Sequence, residues 1–354
     1  MTVPVPRPDL DDTDGLLAVD RAGALRSAAM AGAQVRAVST AIEEGVLGRL
    51  RGMQPRAITF VDSGAAASRA MALVEATVGA ASRYPLSRVR ATPARVGPLD
   101  VVVVAGDDPG DPLAAESIHA AVRRGAEVVV VAPLDGPLRD AGAGRALELP
   151  PRIPVAPRNR MIGHVAAILG VLAVLDAGPV DIDLLARTAD ALDAEALSGQ
   201  PSADVTVNPA KQLAARLANR RFVLVGGDPA AIEVAGHGCA VILSATGIAG
   251  ASAELPEVLA AVHEHRAIGS TGALSDVDAL FHDEELDGPL PTEADRLILI
   301  DTTGDPHLLR RRAASLGEPD LVAVDDAVDL PLQRALLIAE RFDMAAAYLR
   351  LTGG

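Results

Sequence analysis

Apolar residues run along this chain in short unbroken bursts rather than in strict alternation with polar ones. Three bursts fall in the first half, Ala57 to Val61, Asp100 to Ala105 and Glu127 to Ala132. Four fall in the second, Arg221 to Val225, Cys239 to Leu243, Arg296 to Asp301 and Asp320 to Val324. A strand that is apolar on both faces is covered on both faces, which is the condition of a parallel sheet under helices. Ala- and Leu-rich segments of helical length separate the bursts, so the pattern predicts repeated βαβ units.

The junctions sharpen this picture. After Phe60-Val61 comes DSGAAASRAMALVEA, and after Val104-Ala105 comes GDDPGDPLAAESIHAAVRRGAE, each a loop running into a helix. The second half repeats the plan in VLVGGDPAAIEVA and LILIDTTGDPHLLRRRAASLG. These loops sit at the carboxyl ends of strands, the edge at which open α/β sheets bind ligands. Matching halves imply an internal duplication, with one domain over 1–175, a link over 176–204 where DAGPVDID and SGQPSAD interrupt a helix, and a second domain over 205–354.

Composition narrows the function classes. A chain of 354 residues is long enough for two cores. Hydrophobic residues make up 49% but aromatics only 2%, with no Trp, so those cores are built from Ala, Val, Leu and Ile. The lone Cys239 excludes a disulfide framework and a cysteine metal cluster, in keeping with a reducing cytoplasm. A net charge of −15 without a basic stripe argues against nucleic acid and anionic lipid as partners. The opening MTVPVPRPDLDDTDG lacks the apolar core of a signal peptide, and the apolar run from Met161 to Leu175 is short and contains His164, so no membrane span is expected. The acidic residues before Gly15 and the stretch FHDEELDGPLPTEAD read as solvated loops.

Few residues carry chemistry on their own. His263-Glu264-His265 has the wrong spacing for a helical zinc motif, which needs i and i+4, and no metal or cofactor is expected. Gly226-Gly227 follows a strand but lacks a complete dinucleotide fingerprint, and reads as a strand-to-helix turn. Ser63 does not sit in a nucleophile elbow. In Asn208-Pro209-Ala210-Lys211, Asn is a helix cap and Pro a first-turn residue. Arg158, just before a long apolar helix, suits either a sugar phosphate or an interdomain salt bridge.

Taken together, the first strand with its Gly loop, AAVRRGAEVVVVA, PRNRMIG, NPAKQLAARL, ELPE at Glu254 to Glu257, and the closing LIAERFDMAAAYLRL resemble the sugar-isomerase (SIS) family. Within it they are most similar to the bifunctional phosphoglucose/phosphomannose isomerases, and the Arg-rich, Lys-poor composition resembles that of an actinobacterial member. The resemblance implies an α/β fold of two SIS-type three-layer αβα domains with parallel sheets, a homodimer, a sugar or sugar-phosphate ligand, and aldose-ketose isomerisation by a Glu with a His that opens the ring. It also implies an enzyme partner in mannose metabolism.

The site residues that the family would use are largely replaced. Its phosphate loop, Ser-Tyr-Ser-Gly-Asn-Thr, falls on Gly106 to Asp111, so that Asp107, Asp108 and Asp111 stand where hydroxyl donors would be. A like charge about 4 Å from a bound anion costs about 4 kcal/mol at an effective dielectric of about 20. The first-loop Ser falls on Ala65, with Ser63, Gly64 and Ser68 close by; the catalytic Glu falls on Ser244 and the His on Ala260. Arg158 keeps its identity. The expectation is a relative without catalysis, retained for ligand binding, regulation or complex formation. The alternatives are an isomerase with relocated acids, and a binder of cationic or neutral ligands at Asp107, Asp108 and Asp111.

Overall fold

The computed structural model describes residues 7–267, 296–317, 319–324, 328 and 330–353. The stretch FHDEELDGPLPTEAD lies outside the described residues, as does the side chain of His265. Two parallel sheets form. The first contains β1 (Ala57–Ser63), β2 (Leu86–Val89), β3 (Asp100–Gly106), β4 (Glu127–Val131) and β5 (Leu147–Glu148) in the order β2-β1-β3-β4-β5. The second contains β6 (Phe222–Gly226), β7 (Ala251–Glu254), β8 (Arg296–Ile300) and β9 (Asp320–Val322) in the order β7-β6-β8-β9. Each sheet reverses its winding once, between β1 and β3 and between β6 and β8, which places a crevice above each of those pairs.

The apolar bursts are explained by what lies on either side. Val102, Val104, Val128 and Val130 face α5 (Pro112–Arg123) and α6 (Pro137–Gly142), whereas Val101, Val103, Val129 and Val131 face the opposite way. That inner face is shared. It continues through α3 (Ala31–Glu43), α4 (Ala65–Val78), α7 (Met161–Val174), α8 (Ile182–Ser198), α9 (Pro209–Leu217) and α10 (Pro229–Thr246) to Leu224, Ile298 and Ile300 of the second sheet. The far side of the second sheet packs on α11 (Leu255–Ala267) and α12 (Pro306–Arg312). Short helices α1 (Thr13–Val19) and α2 (Ala24–Ala28) and the long α13 (Pro331–Thr352) complete the central layer.

Some expectations are corrected. Cys239 to Leu243 is not a strand; it lies within α10, where Val241 and Ile242 pack into the central layer. A helix pressed between a sheet and other helices loses its polar stripe, so its sequence reads as a buried strand. Among the described residues α10 is also the one helix long and apolar enough to cross a membrane, at a mean hydropathy of 1.2, and it is packed against β6, α4 and α13. Helix α7 is buried against α3 and α4. The acidic start is not simply solvated, since Asp11 accepts hydrogen bonds from the Val205 amide (2.9 Å) and Lys211 Nζ (3.3 Å).

Asn208 caps α9 as expected, accepting from the Lys211 amide at 2.9 Å with Pro209 in the first turn. Lys211 is only 1% exposed, and its ammonium donates to the carbonyls of Pro201 (2.9 Å) and Ala203 (2.7 Å) and sits 5.8 Å from the Tyr348 ring centre. Every donor is in use, so the NPAK segment is a structural anchor and not a ligand contact.

Candidate functional site

The two crevices are the places to look. Above β1 and β3, Ser63 ends one strand and Gly64, at φ +119°, turns the chain into α4 with a backbone that side chains do not tolerate. Gly106 ends the other strand so close by that a Cβ there would lie 2.5 Å from the Ser63 carbonyl oxygen. Gly106→Ala is therefore expected to force the two loops apart at a cost of about 1–3 kcal/mol, read as a lower urea midpoint with unchanged helix content.

Contact between these loops is completed by side chains. The Ser63 hydroxyl donates to Asp111 Oδ2, while Asp111 Oδ1 caps α5 through the Leu113 amide at 2.9 Å. Those bonds, led by the one from Ser63, hold the Asp111 carboxyl below its ordinary value. Asp108 accepts from the Gly110 amide at 2.8 Å, closing its own turn. Asp107 points toward α7, where Arg160 Nη1 and His164 Nε2 each lie 3.1 Å from its Oδ1. Burial alone would raise the Asp107 carboxyl, but the hydrogen bonds and charges of His164 and Arg160 outweigh it and leave it lowered. Asp107 and Asp111 are therefore held within the fold, while Asp108 is exposed and turns one oxygen onto its own loop.

The second crevice is bridged in a parallel way. Asp228 caps α10 through the amides of Ala230 (2.9 Å) and Ala231 (3.0 Å), and Thr302 above β8 donates its hydroxyl to the same carboxylate at 2.8 Å. In both sheets, then, a hydroxyl from one strand end is bound to the capping carboxylate of the other. Gly226-Gly227 serves as the strand-to-helix turn that the sequence predicts.

The remaining candidates do not gather in one place. Ser68 lies in the first turn of α4, its carbonyl accepting from Arg88 Nη1 at 3.2 Å. Ser244 and Ala260, on α10 and α11, are both exposed. Arg158 is half-buried in a single turn before α7 and makes no hydrogen bond or ion pair among the described residues. Burial, and then the charge of Arg350, pull its guanidinium below the ordinary value, with Asp343 and Asp20 acting in the opposite sense. Of the two readings of Arg158, an interdomain salt bridge is not what forms. A cavity of about 30 Å³ beside Arg160 and His164, walled by Gln34, Val38 and Ala167, has room for roughly two waters at most.

Two arrangements were invisible along the chain. His237 and Asp343 meet with Nε2 and Oδ1 2.9 Å apart, at 3% and 2% exposure, between α10 and α13. Glu340, one turn earlier on α13, is fully buried with neither carboxylate oxygen hydrogen-bonded. Among the described residues no three His, Cys, Asp or Glu side chains converge as metal ligands.

No protein-family model matches the chain, and no curated protein matches it in sequence. Solved structures do match in shape. A candidate phosphosugar isomerase from Clostridium difficile superposes with a TM-score of 0.64 at 10% identity, over 92% of this chain and 93% of that one. A glucose-6-phosphate isomerase like protein from Thermus thermophilus gives 0.54 at 17% identity, over 98% and 94%. Tagatose-6-phosphate ketose/aldose isomerase from Escherichia coli gives 0.53 at 13% identity, over 97% and 95%. Likeness at such identities speaks for architecture, and the architecture here is the SIS fold with two parallel-sheet α/β domains.

Proposed function

We propose that this chain is a ligand-binding relative of the phosphoglucose/phosphomannose isomerases that has given up catalysis and binds a sugar phosphate through Arg158. Its setting would be carbohydrate-derivative metabolism in the cytoplasm, as a homodimer serving an enzyme of mannose metabolism, with domains over 1–175 and 205–354. The observation that carries the reading is the bridging of both crevices, Ser63 onto Asp111 and Thr302 onto Asp228, and it agrees with the family resemblance, which would put the acid and the imidazole at exposed Ser244 and Ala260. A metal-free proton transfer between neighbouring carbons needs a base within hydrogen-bond reach of substrate. Arg158 remains as a half-buried cation without a partner among the described residues, which favours an oxyanion.

Purified protein is expected to leave fructose 6-phosphate unchanged in assays coupled to glucose or mannose 6-phosphate. Glucose 6-phosphate should nevertheless stabilise it, by about 2.7 kcal/mol at about 100 times the dissociation constant. Arg158→Gln should abolish that gain. A gain that persists in the variant sinks the assignment of Arg158.

One observation favours an isomerase with relocated acids: Asp107 and His164 pair beside Arg160 at a cavity. Turnover that disappears in Asp107→Asn would establish that reading, although a space of about 30 Å³ must first open to admit a sugar.

A further inference from the structure

A larger cavity, about 530 Å³, opens beside the second crevice, on the flank where the first half meets the second. Its wall includes Glu75 of α4, Arg88 of β2, the capping Asp228 and Glu233 in the second turn of α10, Glu254 at the end of β7, and Arg312 at the end of α12. Beside Asp228, whose carboxylate is taken up by Ala230, Ala231 and Thr302, three further carboxyl groups and two guanidinium groups share this hollow. Among the described residues none of the five makes an ion pair with another. Each arginine is instead steadied by a single bond to a backbone carbonyl, Arg312 Nη1 to Gly227 at 3.0 Å and Arg88 Nη1 to Ser68 at 3.2 Å, which leaves its other donors free.

We propose that this cavity binds a small zwitterion, an ammonium and an oxyanion on one polar frame. The oxyanion would accept hydrogen bonds from Arg312 and Arg88, for which a guanidinium is the best-matched side chain. The ammonium would donate to Glu233 and Glu75, which approach from the facing helices α10 and α4. Burial holds the Glu233 carboxyl above its ordinary value, with Arg88 and Arg69 pulling against it and Glu75 adding to it. A cation beside it relieves both strains. A ligand with one charge satisfies one set of side chains and leaves the other uncompensated. The volume falls within the usual range for small-molecule sites.

Titration calorimetry on the full chain tests this with three molecules that share one frame: glucosamine 6-phosphate, glucose 6-phosphate, which lacks the amine, and glucosamine, which lacks the phosphate. Measurements in the Arg158→Gln background keep this site separate from the one proposed above, so either can fail alone. The zwitterion is expected to bind at least about tenfold more tightly than either control. Glu233→Gln should erase its advantage over glucose 6-phosphate, and Arg312→Gln its advantage over glucosamine. Glu75→Gln, at an exposed position, serves as the second acid variant should Glu233→Gln not fold. Equal affinity for all three molecules, no binding, or advantages that survive the variants would overturn the proposal.

Discussion

Asp343→Ala is expected to cost about 3 kcal/mol of folding free energy, measured as a lower urea midpoint at neutral pH. Its carboxylate and the His237 imidazole are each other's partners in the seam between α10 and α13, the most extensive helix contact among the described residues. Truncation leaves a buried ring nitrogen without an acceptor, and water cannot reach it at 3% exposure. Asp343→Asn retains an acceptor and should lose less than half as much. Equal losses for the two variants would show that the pair contributes packing rather than a hydrogen bond. The same substitution also removes a negative charge that bears on Arg158 and Glu340, so glucose 6-phosphate binding should be measured alongside.

Glu340→Gln is expected to stabilise the protein, and by more as pH rises. Burial, followed by the charges of Glu195, Asp343 and Asp193, pushes the Glu340 carboxyl well above its ordinary value. A raised value in the folded state means that the native protein holds a proton that the unfolded chain has already released. Stability from that proton is complete below the unfolded value. It falls by about 1.4 kcal/mol per pH unit as pH climbs from there through the folded value. Glutamine cannot ionise, so the variant escapes the decline. Urea midpoints of wild type and variant should coincide near about pH 4 and separate toward about pH 8. Parallel profiles would mean that Glu340 stays charged and is compensated within the fold.

Most of the fold could be read from the chain because its central strands are apolar on both faces. The strands β1, β3, β4, β6 and β8 announce themselves this way, and β9, although at an edge, does so through the apolar run Leu321 to Val324. The strands that do not are β2, β5 and β7, with sequences LSRV, LE and ASAE; they lie at sheet edges, where one side faces solvent or a loop and nothing demands a run of valines. The error at Cys239 to Leu243 has the opposite cause, since burial around a helix erases the periodicity by which helices are recognised. Local chemistry was legible where it is local, as with Asn208 capping α9. Pairings were not. Asp107 meets His164 across 57 residues and His237 meets Asp343 across 106, and neither spacing carries a signal before the helices are packed. Within the acidic loop, Asp107 therefore looked unneutralised until α7 was laid beside it.

Helix α13 has a consequence for how the protein is made. It reaches α2, α4, α8, α9 and α10, its Tyr348 hydroxyl holds the Gly199 carbonyl at 2.7 Å, and its Arg341 grips Glu195 on α8 with two bonds of 2.7 and 3.1 Å. Residues 331–352 leave the ribosome after all the partners they cover. For most of synthesis the nascent chain must therefore carry an uncovered greasy trough, a state in which holdase chaperones would find it and in which premature release invites clumping.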